Sequence, residues 1–162
     1  MLKKLPRVKR IAFIFLHTAI VALLTIVTQI GGIAYLLGYW LNKYFVLVKR
    51  LGHLIYFVII YGALTYLIVP LVAPIFGREK IIDSQKIMPS TIFTKILNRN
   101  YVRPELNYFL KEVSTQLVHN QVNIKYLDAG FPFIDGFPLF PHRSHNAVSY
   151  THLFYQNQIQ NR

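Results

Sequence analysis

The chain has 162 residues, of which 54% are hydrophobic and 15% are charged, and this composition is too apolar for an ordinary soluble domain of that size. Its net charge is +12, yet the basic residues of its first half flank apolar runs, which favours anionic lipid headgroups over nucleic acid as a partner. Cysteine is absent, which excludes disulfides and thiolate metal sites.

The first 76 residues carry eight Lys or Arg and no Asp or Glu. A basic start, residues 1–10, precedes two uncharged runs, 11–41 and 54–76, and each run exceeds the roughly 20 residues that cross a bilayer. We therefore predict a membrane α-helical half, with the basic start in the cytoplasm and the last helix kinked or ended by Pro70 and Pro74. A secretory signal peptide is the rival interpretation, but the first run is too long and lacks a small-residue cleavage site.

The number of crossings, two or three, depends on the first run. As one helix, residues 11–41 would be about 46 Å long, more than the ~30 Å hydrocarbon core requires, and the glycine pair at 31–32 is a natural break. Three crossings place the basic pair at 49–50 beside the basic start and the tail outside, as the positive-inside rule prefers, whereas two crossings leave the tail in the cytoplasm. We favour three, although Lys43 would then lie within the second crossing. His17 is expected to make a polar contact with another helix.

The remaining residues predict a small α+β tail. Ser90 is a candidate cap for a short helix over Thr91–Leu97, and a longer helix begins at Pro104, since proline suits the first helical position. One face of that helix is apolar: Leu106, Phe109, Leu110, Val113 and Leu117. Alternation at three positions predicts a strand: Val122, Ile124 and Tyr126. Prolines and aromatics over residues 131–141 predict an irregular, packed loop.

The segment His142-Arg-Ser-His145 is the one constellation with metal chemistry. Imidazole is a common zinc ligand, but an open catalytic zinc site needs three protein ligands. Taken as a bare pattern, two histidines at this spacing are more often surface or hydrogen-bonding residues.

Four stretches of the chain carry a resemblance to a known family. They are Thr28–Leu37, Asn98–Leu106, Tyr126–Phe133 and Gly136–Asn146. Together they resemble a family of bacterial inner-membrane proteins whose tail is similar to a zinc peptidase domain. The last stretch also resembles the murein endopeptidase and D-Ala-D-Ala metallopeptidase group.

The resemblance implies a multi-pass, membrane-anchored hydrolase with an extracytoplasmic tail that cleaves peptidoglycan peptides. It implies that His145 is a zinc ligand and His142 a pocket residue, and that Arg103 and Arg143 bind a substrate carboxylate. In that group the zinc ion polarises the amide carbonyl and activates a water. The alternative is a non-enzymatic membrane protein with a structural or partner-binding role, whose apolar helix face packs on the membrane surface.

The sequence departs from the zinc motif after His145. The group has Gly three residues later and a zinc-binding Asp seven residues later, where this chain has Val148 and His152. Imidazole is able to replace a carboxylate as ligand, so His152 is a formal candidate, but no further segment supplies the distal His. We therefore expect residues 77–146 to be an incomplete, inactive part of a peptidase-like domain.

The last residues have an unusual pattern of their own. Ala147–Leu153 resembles a translated transposase adapter from sequencing libraries, which predicts that residues 147–162 are non-native read-through of a truncated protein. The alternative is a natural strand that contains Val148, Tyr150 and Leu153.

Overall fold

The computed structural model describes residues 6–45, 51–117, 122–134 and 136–137, together with the backbone of 153–157. The chain divides into two compact units, Met1–Leu64 and Thr65–Arg162.

Two helices, α1 (Arg7–Thr28) and α2 (Gly31–Tyr44), replace the single long helix that one interpretation placed over residues 11–41. The break lies at Gln29, whose φ of 63° stops α1, rather than at the glycines, which instead begin α2. The hydroxyl of Thr28 accepts a hydrogen bond from the Gly31 amide at 2.8 Å, so a side chain from α1 satisfies the first amide of α2.

Helix α2 runs back along α1. A Cβ atom on Gly32 would lie 2.9 Å from the Val21 carbonyl oxygen, so the absence of a side chain permits this close approach. Farther along, the Tyr35 hydroxyl is 2.7 Å from His17 Nδ1, which confirms the expected polar contact between His17 and another helix. Gly32 lies next to Val21, and Tyr35, farther along α2, contacts His17, which comes earlier in α1. The two helices are therefore antiparallel.

Helix α3 (Gly52–Phe76) begins by running back along α2. Gly38 of α2 faces the backbone of Phe57, where an added Cβ atom would be 2.8 Å from the Phe57 nitrogen. Nearer the connection, a Cβ atom on Gly52 would overlap the side chain of Asn42. The start of α1, the end of α2 and the start of α3 therefore lie at one end of this unit.

Lys43, which the sequence places within the second crossing, lies in the last turn of α2. Because the helices alternate in direction, Lys43 is at the same end as Arg7, Lys9 and Arg10 in the first turn of α1.

Helix α3 starts two residues before the predicted 54–76 and continues past both prolines. It contains a π-turn over Leu64–Ile68 and a 3₁₀ turn over Ala73–Phe76. These turns accommodate Pro70 and Pro74, which lack an amide hydrogen, and the helix ends only where Gly77 takes a φ of 67°. Within the described residues, α1 and α3 are long and apolar enough to cross a membrane.

The tail is a small mixture of strands and helices. Its elements in chain order are β1 (Glu79–Lys80), β2 (Ile87–Pro89), α4 (Ile92–Ile96), β3 (Tyr101–Val102), α5 (Pro104–Gln116), β4 (Val122–Tyr126) and β5 (Leu153–Asn157). Strands β1 and β3 form an antiparallel pair. In the second sheet β4 is central, parallel to β2 and antiparallel to β5.

The hydrophobic core of the tail lies between the second sheet and α5. Its buried members are Ile81, Ile87, Val102, Leu110, Ile124, Tyr126 and Ala129. The alternating strand and the helix that begins at Pro104 are both confirmed. Within the apolar face of α5, Leu110 is buried in this core, whereas Phe109 is 54% exposed. Ser90 is not the cap of α4, because Thr91 occupies the cap position and makes no side-chain capping bond.

Candidate functional site

Two of the stretches named in the sequence analysis, Asn98–Leu106 and Tyr126–Phe133, are joined in the tail by backbone hydrogen bonds between residues about thirty positions apart. The Ala129 amide donates to the Arg99 carbonyl at 2.8 Å, and the Tyr101 amide donates to the Gly130 carbonyl at 3.1 Å. A Cβ atom on Gly130 would lie 2.9 Å from the Tyr101 carbonyl oxygen. Glycine is therefore required for this close approach of the two backbones.

A buried ion pair reinforces the same junction. Arg99 Nη1 is 3.2 Å from Asp128 Oδ2, and the Arg99 side chain is 9% exposed. The guanidinium carbon lies 5.7 Å from the centre of the Phe131 ring, within the range of a cation–π contact. Arg99 Nε has no hydrogen-bond partner within the described residues. A charge buried this deeply depends on Asp128 for compensation.

A second polar contact fixes the end of β4. The Tyr126 hydroxyl donates to Asp83 Oδ1 at 2.8 Å, and Lys95 pairs with the other oxygen of that carboxylate. Burial, followed by the hydrogen bond and charge of Asp83, raises the pKa of Tyr126 above its usual range. Tyr126 therefore stays neutral, as a hydrogen-bond donor, throughout the physiological pH range.

Beyond this junction the chain enters the aromatic loop. Phe131 is 3% exposed, and its ring packs edge-on against Phe137 with 5.4 Å between the ring centres. The Phe133 ring contacts the ring of Phe76, at the end of α3, with 5.2 Å between the ring centres. The loop is irregular over residues 131–134 and packed over 131–133, as its composition predicts, whereas Ile134 is exposed. The rest of it, to residue 141, lies largely outside the described residues.

The sequence-predicted site residues fall into two groups. His142, Arg143, His145 and His152 lie outside the described residues. Arg103 is described: it is exposed and directly precedes α5. Among the residues with described side chains, no group of three or more His, Asp or Glu is placed to hold a metal ion.

The residues around the expected zinc ligand fit a catalytic zinc site poorly. Under the resemblance His145 is one ligand, whereas His152 stands where the resembling group has Asp. An open catalytic zinc site needs three protein ligands, and these two histidines do not make up that set.

Sequence reasoning missed the Arg99–Asp128 pair and the Tyr126–Asp83 contact. Each pair is distant in sequence, by 29 and 43 residues respectively. The one available signal was that both Arg99 and Asp128 lie within stretches that resemble the same family.

A groove next to β1 is polar but has a structural explanation. It has a volume of about 290 Å³ and is lined in part by Glu79, Asn107 and Lys111. The Asn107 side chain accepts from the Ile82 amide and donates to the Lys80 carbonyl, so it attaches α5 to β1. Its hydrogen bonds are used within the fold.

No family model, curated protein or solved structure matches this chain. Its own residues are therefore the basis for assigning it a role.

Proposed function

We propose that this chain is an integral membrane protein that crosses the plasma membrane three times and holds its tail outside the cytoplasm. The outer surfaces of α1 and α3 support this proposal. Phe15 and Leu23 of α1 are 75% and 61% exposed, and Ile59 of α3 is 59% exposed. Such helices, apolar on their open sides and without charge after Arg10 in α1 and throughout α3, are stable in lipid and unfavourable in water.

Helix α2 provides the second crossing. Its 14 residues span roughly 21 Å, less than the ~30 Å hydrocarbon core. A short helix is accommodated by local thinning of the bilayer at a modest cost in free energy. The antiparallel packing of α2 against α1 returns the chain to the end from which it started.

The distribution of charge is the observation that carries the orientation. The described basic residues of the first unit lie at one end of its helices: Arg7, Lys9, Arg10 and Lys43. The opposite end, at the Thr28–Gly31 connection, has no charged residue. By the positive-inside rule the basic end is cytoplasmic, and three crossings then carry the tail to the other side.

For the full-length protein we propose a zinc-dependent hydrolase that acts on cell-wall peptide. The support is the resemblance around His145, together with the hydrogen-bonded contact between Asn98–Leu106 and Tyr126–Phe133. We expect the sequence of 162 residues to be inactive by itself, because it departs from the zinc motif of the resembling group at Val148 and His152.

Orientation is tested by single-cysteine labelling, which the cysteine-free chain makes straightforward. Tyr108→Cys, at a side chain 72% exposed on α5, should react with a membrane-impermeant maleimide in intact spheroplasts. Arg10→Cys, at the basic end, should react only after permeabilisation. The reverse pattern would overturn the proposed orientation and would support the non-enzymatic alternative, because cell-wall substrate is absent from the cytoplasm.

Activity is tested on the full-length protein by measuring bound zinc and muropeptide cleavage. We expect His145→Ala to lose both, because the metal would lose a ligand. His119→Ala is the matched control and should retain both. A protein without zinc, or cleavage unaffected by His145→Ala, would refute the hydrolase proposal.

A further inference from the structure

We propose that the second half of α3, residues 65–76, lies at the lipid–water interface as an amphipathic segment, with one face in the bilayer and the opposite face under the tail. The proposal rests on the membrane anchoring proposed above. It adds a membrane-binding surface that belongs to the tail unit itself.

The segment has two opposite faces with opposite surroundings. The covered face is 4%, 1% and 0% exposed at Thr65, Val69 and Ala73. The open face is 63%, 74% and 80% exposed at Leu67, Leu71 and Ile75. Each set repeats every four residues, and the sets are offset by two residues, which places them on opposite sides of the helix.

Polar groups of the tail contact the start of the segment, at the covered Thr65 and at its exposed neighbour Tyr66. Asn98, which is 1% exposed, donates its side-chain amide to the Thr65 hydroxyl at 3.3 Å. The ammonium group of Lys80 lies 5.9 Å from the centre of the Tyr66 ring. The tail thus brings a buried amide and a charged group back to the middle of α3.

These contacts argue against a straight crossing through the whole of α3. Residues 52–64 span roughly 20 Å along the helix, close to the length of α2, so a bilayer thinned to match α2 is already crossed at Thr65. If all of α3 crossed instead, the Lys80 ammonium beside Tyr66 would lie in hydrocarbon, where a charged side chain is strongly unfavourable. A change of direction near Thr65 keeps this ammonium group at the interface.

The backbone allows a change of direction at this point. The π-turn over Leu64–Ile68 and the following Pro70 are features at which helices bend. The boundary between the two units also falls here, after Leu64.

Lipid is the occupant that the open face favours. The face continues directly from a helix proposed to cross the bilayer, and its side chains are Leu and Ile without any charge. The adjoining tail, residues 77–134, carries eight Lys or Arg against five Asp or Glu, which complements anionic headgroups. The segment ends near the Phe76–Phe133 pair, and aromatic rings are enriched at membrane interfaces.

The test places a fluorescent label on single cysteines of the whole chain, reconstituted in vesicles of phosphatidylethanolamine and phosphatidylglycerol. Leu71→Cys reports on the open face, Phe15→Cys on α1, and Glu112→Cys on the exposed side of α5. Spin-labelled lipids that carry the quencher at shallow or deep positions measure depth, and iodide measures exposure to water.

We expect the Leu71 label to be quenched several-fold more strongly by shallow than by deep spin labels, and to be protected from iodide relative to the Glu112 label. Iodide quenching at Leu71 equal to that at Glu112 would overturn the inference. Protection of Leu71 from both quenchers, with cross-linking between chains, would overturn it in favour of a second copy as occupant. If the Phe15 label is also open to iodide, the proposed membrane anchoring itself fails.

Discussion

Asp128 is the residue on which the junction below the aromatic loop depends. Replacement by Asn would leave the buried Arg99 guanidinium without its counter-charge. Because an uncompensated buried charge is strongly destabilising, we expect Asp128→Asn to lower the free energy of unfolding by about 3 kcal/mol. Chemical denaturation in detergent micelles measures the change.

The control for Asp128→Asn is Glu112→Gln, which neutralises an exposed carboxylate on α5. Exposed charges contribute little, so its unfolding free energy should stay within about 0.5 kcal/mol of the unmodified protein. Equal losses in the two variants would contradict a specific role for the ion pair.

Tyr101 gives the tail a predictable dependence on alkaline pH. Burial raises the pKa of Tyr101 from 10.0 to about 12, so the folded state retains the phenolic proton after the unfolded chain has released it. Stability is therefore complete below pH 10 and falls as the pH rises towards about 12. The full loss is on the order of 3 kcal/mol, since one pKa unit corresponds to about 1.4 kcal/mol.

Unfolding measured across this pH range checks the prediction. Tyr101→Phe removes the phenol and should give a shallower loss of stability above pH 10 than the unmodified chain. An unchanged slope in Tyr101→Phe would show that this hydroxyl is not the titrating group.

At the scale of single elements, two helical glycines allow the effect of close helix packing on stability to be separated from the effect of helix propensity. A Cβ atom on Gly38 would lie 2.8 Å from the Phe57 nitrogen, whereas one on Gly62 would meet nothing within 4 Å. We expect Gly38→Ala to force α2 and α3 apart and to lower the unfolding free energy by roughly 1–3 kcal/mol. Thermal unfolding in micelles measures the effect.

Gly62→Ala is the matched substitution on α3. Alanine is a better helix former than glycine by about 1 kcal/mol, so this variant should be neutral or more stable. Destabilisation of both variants by the same amount would mean that the close approach at Gly38 is unimportant.

Elements whose signals are local were predictable from the sequence. The alternation of Val122, Ile124 and Tyr126 predicted β4, and Pro104 predicted the start of α5. Both patterns depend only on residues that are close in sequence. A break near residues 31–32 was predicted from the glycine pair, but its position at Gln29 was not, because a non-glycine residue adopts a φ of 63° only when the surrounding structure, here the Thr28 side chain and the packing of α2 on α1, supports it.

Sequence patterns did not predict the polar contacts of the candidate site for a related reason. Arg99 and Asp128 have no periodic or motif relationship, and only the pairing of two distant backbone segments brings them together. The zinc assignment at His145 stays a prediction, since that residue lies outside the described part of the chain.

For the molecule as a whole, the distribution of charge should determine orientation. Three cytoplasmic cations are proposed to bias insertion: Arg7, Lys9 and Arg10. Their replacement by Gln should weaken the positive-inside signal and lower the fraction of molecules whose Tyr108→Cys reacts from outside. Quantitative maleimide labelling of intact spheroplasts measures that fraction.

The control for this change removes the same amount of charge from the tail. It replaces three lysines by Gln: Lys86, Lys111 and Lys125. Labelling of Tyr108→Cys should be unaffected, since the orientation signal resides in short segments at the ends of the helices. A similar fall in both variants would indicate a general effect on folding or insertion rather than on orientation.

Gly77 connects α3 directly to the tail. Its left-handed conformation reverses the chain at the end of α3, and the Arg78 amide bonds back to the Ala73 carbonyl at 3.1 Å. No flexible linker separates α3 from the tail. Under the proposed membrane anchoring, a compact tail of about 70 residues would stay within roughly 30 Å of the bilayer, and a molecule that it binds would have to come to the membrane surface.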